Sequence, residues 1–171
     1  MEIAQVGFIY FASVIVFCAI MVVTRRSPVH SALFMLPLFF HVAGIFIMLD
    51  AEFVAAIQVL VYAGAIMVLF LFVIMLFNVH NIREKKCFQA GWPVSVPFVM
   101  VLCGFFMSII LKSGFNGTRG QYSMEVMKRI GNSQAVGNAL FTEFLFPFEV
   151  ASIILLVAMV GAIVLAKKHI D

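Results

Sequence analysis

The chain is poor in most of what a soluble catalyst uses. Of its 171 residues only 11% are charged, too few to clothe a water-soluble globule. Its three cysteines, Cys18, Cys87 and Cys103, have no paired spacing for a metal or a redox dithiol and read as small apolar residues. The four histidines form no ligand group. His30 and His80 flank apolar runs, His169 lies in the tail, and His41 stands alone inside an apolar run, where a hydrogen bond to a neighbour competes with a proton-relay role. There is no glycine-rich phosphate loop, no cysteine array and no basic stretch interleaved with aromatics, which argues against nucleotide, cluster and nucleic-acid binding by this chain alone. Nor is there an internal repeat of the kind that marks inverted-repeat transporters. The tripeptide Asn116-Gly117-Thr118 fits a glycosylation pattern, but chance produces that pattern often and it carries no weight.

What is present is apolar. The hydrophobic fraction is 64% and the mean hydropathy +1.15. Charges bracket the apolar runs instead of interrupting them: Ile3–Thr24, Ser27–Leu49, Phe53–Ile82, Phe88–Leu111 and Val150–Ala166 contain no Asp, Glu, Lys or Arg. A bilayer core of about 30 Å needs about 20 such residues as a helix. The pattern predicts an all-α, polytopic integral membrane protein. Its five transmembrane helices fall near residues 3–23, 29–49, 53–77, 93–111 and 146–166, in a single membrane domain over 1–171 with an outside loop at 112–145. The first run has an acid, not a basic cluster, before it and lacks a clear small-residue cleavage site, so it is expected to be a mature helix. Ser27-Pro28 supplies an N-cap and a proline at the first helical position of the second helix. Pro37 lies inside that helix and should kink it. Pro93 and Pro97 crowd the start of the fourth. Within the long loop, Ser123–Ile130 could form one short amphipathic helix with Met124, Met127 and Ile130 along a face.

Basic residues set the expected orientation. Arg25, Arg26, Arg83, Lys85, Lys86, Lys167 and Lys168 follow alternate helix ends and share one side. The other side holds Glu2, Asp50, Glu52, Glu125 and Glu143 against Lys112, Arg119, Lys128 and Arg129. The short basic loops decide under the positive-inside rule, which places the N-terminus outside and the C-terminus in the cytoplasm.

The third helix is the most uneven. Gln58, Tyr62 and the Ala63-Gly64-Ala65 run occupy its first half and middle, while its second half is bulky and apolar. At α-helical spacing Ala51, Ala55, Gln58, Tyr62, Ala65 and Leu69 form one stripe, with Ala56, Ala63 and Met67 roughly opposite. Small residues on two faces permit close packing from two directions. Gln58 and Tyr62, four apart, can bond each other, another helix or water; interhelical glue and a hydrated path both fit them. Gly64 permits close packing, a bulge or a change of winding. On the fifth helix, Phe146-Pro147-Phe148-Glu149 puts Glu149 in the first turn if Pro147 begins it. There a carboxylate is stabilised by the helix dipole, or serves as a functional group near the hydrocarbon. Ala158, Ala162 and Ala166 recur beside Gly161 as a smooth stripe for another helix.

Three segments carry a family resemblance. Val61-Tyr62-Ala63-Gly64-Ala65-Ile66-Met67-Val68-Leu69-Phe70, preceded by Gln58 and followed by a bulky run to Asn78, closely resembles the third helix of the subunit J family of bacterial NADH:quinone oxidoreductase. That enzyme is respiratory complex I, or type I NADH dehydrogenase, and the family is homologous to the mitochondrial chain 6 subunit. Ser27-Pro28-Val29-His30-Ser31-Ala32-Leu33 matches at the second helix. Phe146-Pro147-Phe148-Glu149-Val150-Ala151-Ser152, leading into Val160-Gly161-Ala162-Ile163, matches at the fifth. The likeness runs from end to end; only the long loop is not diagnostic.

The resemblance implies a membrane-arm subunit of a proton-pumping translocase in the bacterial inner membrane. Such a subunit is not an enzyme alone and binds no cofactor; NADH, FMN, iron–sulfur clusters and quinone belong to the complex. Its implied partners are the membrane subunits of types A, H, K and N and the lipid bilayer, with no nucleic acid. In the family the third helix carries a π-bulge whose exchange with regular α-helix is associated with opening a water path. Carried onto this chain, the gating segment is Tyr62, Ala63, Gly64, Ala65, Ile66 and Met67, and the polar path is Gln58, Tyr62 and Glu149. Some members have glutamate where this chain has Gln58, so position 58 cannot titrate here. An autonomous channel and a purely structural bundle remain the rival classes, the first opposed by the lack of a repeat or of a second intramembrane charge.

Overall fold

The computed structural model describes residues 3–77, 92–112 and 124–167. Every described element is a helix: α1 (Ile3–Thr24), α2 (Pro28–Met48), α3 (Glu52–Leu76), α4 (Trp92–Lys112), α5 (Met124–Ile130), α6 (Asn132–Thr142) and α7 (Leu145–Ala166). Five of them, α1 to α4 (α4 from Ser95) and α7, are long and apolar enough to cross a bilayer, as the runs of apolar residues predict. The basic residues Arg83, Lys85, Lys86 and Lys168, along with His80, Cys87, His169 and the Asn116 tripeptide, lie outside the described residues. The chain divides into two compact units, Met1–Gly117 and Thr118–Asp171.

In the first unit α2 is the middle helix, packed against α1 on one side and α3 on the other. Glycine makes the first contact close. The ring of Phe11 lies where a Cβ on Gly44 would stand, and the Met48 side chain comes within 3.1 Å of the Cβ position at Gly7. Tyr10, Phe11 and His41 form an aromatic cluster in this seam, with both rings 5.8 Å from the imidazole. Cys18 is buried, in keeping with its reading as an apolar residue, whereas Cys103 is exposed.

The turn from α2 to α3 is fixed by backbone bonding. Ala51 N–H donates to Phe46 O at 2.9 Å and Asp50 N–H to Ile47 O at 3.0 Å, with Asp50 left-handed at φ 56°. This is the double closure of a Schellman motif, with aspartate in the place glycine usually takes. So tight a reversal makes α2 and α3 antiparallel neighbours. Ser27 is the N-cap residue of α2 with Pro28 at N1, as the sequence predicts. Its hydroxyl, however, makes no capping bond; the Ser27 carbonyl instead accepts from Ser31 N–H at 3.0 Å. Hydroxyls inside the spans are satisfied one turn back, Ser13 on Ile9 O at 2.6 Å and Thr24 on Ile20 O at 2.7 Å. In hydrocarbon there is no water to take those bonds.

In the second unit the described part of the stretch expected as an outside loop, from 124 on, holds two helices. The short helix expected at 123–130 runs over Met124–Ile130, and a second, Asn132–Thr142, follows it. Gly131, at φ 85°, separates the two with a conformation that a side chain would resist. The second helix escapes sequence reading because it is weakly apolar and begins with Asn132-Ser133-Gln134; it is held by burial of Ala135. Phe141 then meets Phe148 edge to face at 5.2 Å, fastening α6 to the start of α7.

Candidate functional site

The site is built on α3, whose winding changes twice. Glu52–Ile57 is α-helical, Gln58–Ile66 is a nine-residue π-helix, and Met67–Leu76 is α-helical again. Where the π segment ends, Met67 N–H reaches back five residues to Tyr62 O. A ladder that passes from five-residue to four-residue steps has one carbonyl more than it has donors. One acceptor in the Ala63–Ala65 stretch is therefore left without a helix N–H. In hydrocarbon such a group persists only where it is covered by protein or lines water.

The wide winding also resets which side chains face α2, correcting the stripes read from sequence. Ala55, Gln58, Ala63 and Met67 are the buried residues of α3. Their spacing is three, five, four, and the five-residue step lies within the π segment. At α spacing Ala63 and Met67 fall roughly opposite Ala55 and Gln58; one extra residue in the turn brings them round. Tyr62, Ala65 and Leu69, expected on the same stripe as Gln58, are exposed instead. Ile66 is also exposed, and Gly64 lies on the open side, its Cβ position 3.3 Å from Val59 O. That carbonyl belongs to the residue five back, so the contact is a product of the π turn.

Gln58 is 8% exposed, the only buried polar residue among those described. Its amide has no hydrogen-bond partner among the described residues, and its polar atoms keep a sliver of accessible surface. Tyr62 is 47% exposed, its ring centroid 6.0 Å from that of Phe39 on α2. Sequence reasoning did not single out Phe39. The legible signal was the five-residue interval from Gln58 to Ala63, which only makes sense once the winding is known. The gating segment named from the sequence is thus one continuous stretch, with Ala63 and Met67 buried and Tyr62, Gly64, Ala65 and Ile66 exposed.

Glu149 lies on α7, in the second unit, and is exposed. The condition that would put Glu149 in the first turn, a start at Pro147, is not met: α7 begins at Leu145, with Phe144 as its cap residue. Pro147 is tolerated at the third position because the first N–H groups of a helix have no helical acceptor anyway. Phe148 N–H already bonds Phe144 O at 3.0 Å. Glu149 therefore falls beyond the first turn, where the free N–H groups and the dipole that would stabilise it have faded. His41, in the second half of α2, is engaged: its Nδ1 lies 2.7 Å from Pro37 O. A carbonyl can only accept, so Nδ1 carries the proton and donates. Among the described residues no cluster of His, Cys, Asp and Glu could hold a metal.

Comparison with known proteins gives the family. The sequence profile described as NADH-ubiquinone/plastoquinone oxidoreductase chain 6 matches residues 18–165. The chain belongs to that family. It is 34% identical over 162 residues to NADH-quinone oxidoreductase subunit J of Rickettsia conorii, covering 94% of this chain and 79% of the relative. F(420)H(2) dehydrogenase subunit J of Methanosarcina mazei is 39% identical over 161 residues, with 91% and 86% covered. NAD(P)H-quinone oxidoreductase chain 6 of Synechocystis is 37% identical over 170 residues, with 96% and 81% covered. The chain is accordingly a multi-pass membrane subunit of the quinone oxidoreductase type.

Proposed function

We propose that this chain is a membrane-arm subunit that helps couple quinone reduction to proton translocation, and that it does so through the winding of α3. The three relatives are named for different electron donors, yet each contains a chain of this kind. Choice of donor is therefore made elsewhere in the complex, and so are NADH, flavin, iron–sulfur and quinone binding. The observation that carries the reading is the nine-residue π-helix lying on the Tyr62–Gly64 motif, because π turns inside α-helices gather at functional sites.

The mechanism follows from the two ladders. In the π winding, Ala63 and Met67 fill the face toward α2 and leave a carbonyl over in the Ala63–Ala65 stretch. Rewinding Gln58–Ile66 as α-helix restores that carbonyl's donor and turns Met67–Leu76 by about one residue, about 100°. A dry plug of bulky side chains would then exchange with a smaller, wetter lining. Protons pass by water and Tyr62, since Gln58 cannot titrate. Glu149 is the remaining member of the polar path, at the outer end of α7. The complex sits in the bacterial inner membrane with this chain's N-terminus outside and its C-terminus in the cytoplasm, beside subunits of types A, H, K and N.

Tyr62→Phe tests the reading. The chain should copurify with the quinone-reducing complex in normal amount and reduce quinone with impaired pumping. Equal pumping by variant and parent removes the hydroxyl from the path, and failure of the parent chain to copurify with such a complex removes the reading altogether.

A further inference from the structure

Gln58 has an unmet need that the π winding explains. It is 8% exposed, in the N-terminal half of a membrane span; no described residue bonds its amide, whose polar atoms keep only a sliver of accessible surface. A primary amide carries two donors and an acceptor, and leaving it unpaired away from water is costly. One residue could serve it without any partner chain. Tyr62 stands four positions on, its hydroxyl likewise unbonded among the described residues and its ring held at the edge of the helix seam by Phe39.

The bonding pattern decides which side chain returns over Gln58. With five-residue steps it is Ala63, and the structure has Ala63 buried at 3% exposure beside the buried Gln58. With four-residue steps it is Tyr62. We propose that the partner of Gln58 is the Tyr62 hydroxyl in the α winding of the same helix, so that this pair is the latch that holds the alternative register. The proposal rests on the reading that α3 exchanges between windings. Within it, Gln58 is a positioning residue and its partner is named. The π winding leaves both groups unbonded and sets the Tyr62 ring tilted against Phe39. The α winding pairs them and carries the tyrosine from the edge of the seam toward its centre. Each winding thus satisfies something the other forfeits, which keeps the two close in free energy.

Side-chain hydrogen bonds within membrane proteins average about 0.6 kcal/mol and reach about 1.7 kcal/mol, which converts to about three-fold and at most about twenty-fold in a population ratio. The test is structure determination of the intact complex at rest and during turnover, sorting particles by the winding of α3. Parent, Tyr62→Phe, the near-isosteric Gln58→Met and the double variant are compared. In parental particles with α winding, the Tyr62 oxygen should lie within about 3.2 Å of the Gln58 amide. Each single variant should lower the α-to-π ratio about three-fold, and the double variant should lower it no further than either single one. If the parent shows no α-wound particles in either condition, the exchange itself is refuted and the latch goes with it. If α-wound particles occur but the two groups stand apart, or the single effects simply multiply in the double variant, the exchange survives and the latch is refuted.

Discussion

Gly64→Ala isolates the effect of winding from the usual effect of removing a glycine. Alanine restricts the unfolded chain, and that benefit is the same whether α3 is π-wound or α-wound, so it cancels between them. What remains is local. In the π winding a Cβ at position 64 stands 3.3 Å from Val59 O, close enough that the carbonyl must give by a few tenths of an ångström. Moving a backbone oxygen that far bends angles by several degrees and costs about 0.5–1 kcal/mol. In an α-helix the same Cβ meets no carbonyl five residues back. The α-to-π ratio should therefore rise about two- to five-fold, counted over particles of the intact complex. Gly161→Ala is the control: it lies on α7 with open space around its Cβ position and should leave α3 unchanged. An unchanged or lowered ratio in Gly64→Ala would refute the claim that Gly64 is there to permit the wide turn.

Three further outcomes are expected. Gly44→Val should reduce the assembled complex, because a branched side chain cannot share space with Phe11 at the α1–α2 seam; overpacking of this kind costs about 1–3 kcal/mol, and quantitative blotting of the membrane fraction measures it. Glu149→Gln should assemble and lower pumping modestly, as loss of one titratable member of the path would, and Glu149→Lys should be only modestly worse, since α7 begins at Leu145 and the dipole has weakened by the second turn; pumping equal to the parent in both variants would remove Glu149 from the path. A reporter fused after Asp171 should be cytoplasmic and one inserted near Asn116 outside, and the reverse result for both would invert the orientation.

Much of the fold was legible because hydrocarbon is a simple solvent. Five apolar runs bounded by charge gave five spans to within about two residues, since a helix must satisfy its own backbone there. Where water competes, reading failed. Asn132–Thr142 looks like loop because its apolar residues are few and its start is polar. Whether Glu149 lay in the first turn of α7 was not legible, because proline marks any of the first few helical positions equally well. On α3, Gln58, Tyr62 and Gly64 stood out as the wrong residues for a plain anchor, and the family motif pointed to a bulge. Their arrangement was not legible, because faces drawn at 3.6 residues per turn put Ala63 and Met67 on the wrong side. A single wide turn is invisible to periodicity and moves every residue beyond it.

The most direct measurement of the central claim is the ratio of protons moved to electrons transferred by the purified Gly64→Leu complex in sealed vesicles, with its amount of assembled complex measured beside it. Leucine at position 64 crowds Val59 O in the wide turn and adds bulk on the open side. If winding couples the two processes, the complex should assemble while quinone reduction and pumping both fall, pumping the more, so that the ratio drops. Assembly, quinone reduction and pumping all equal to the parent would contradict the account and leave α3 as packing.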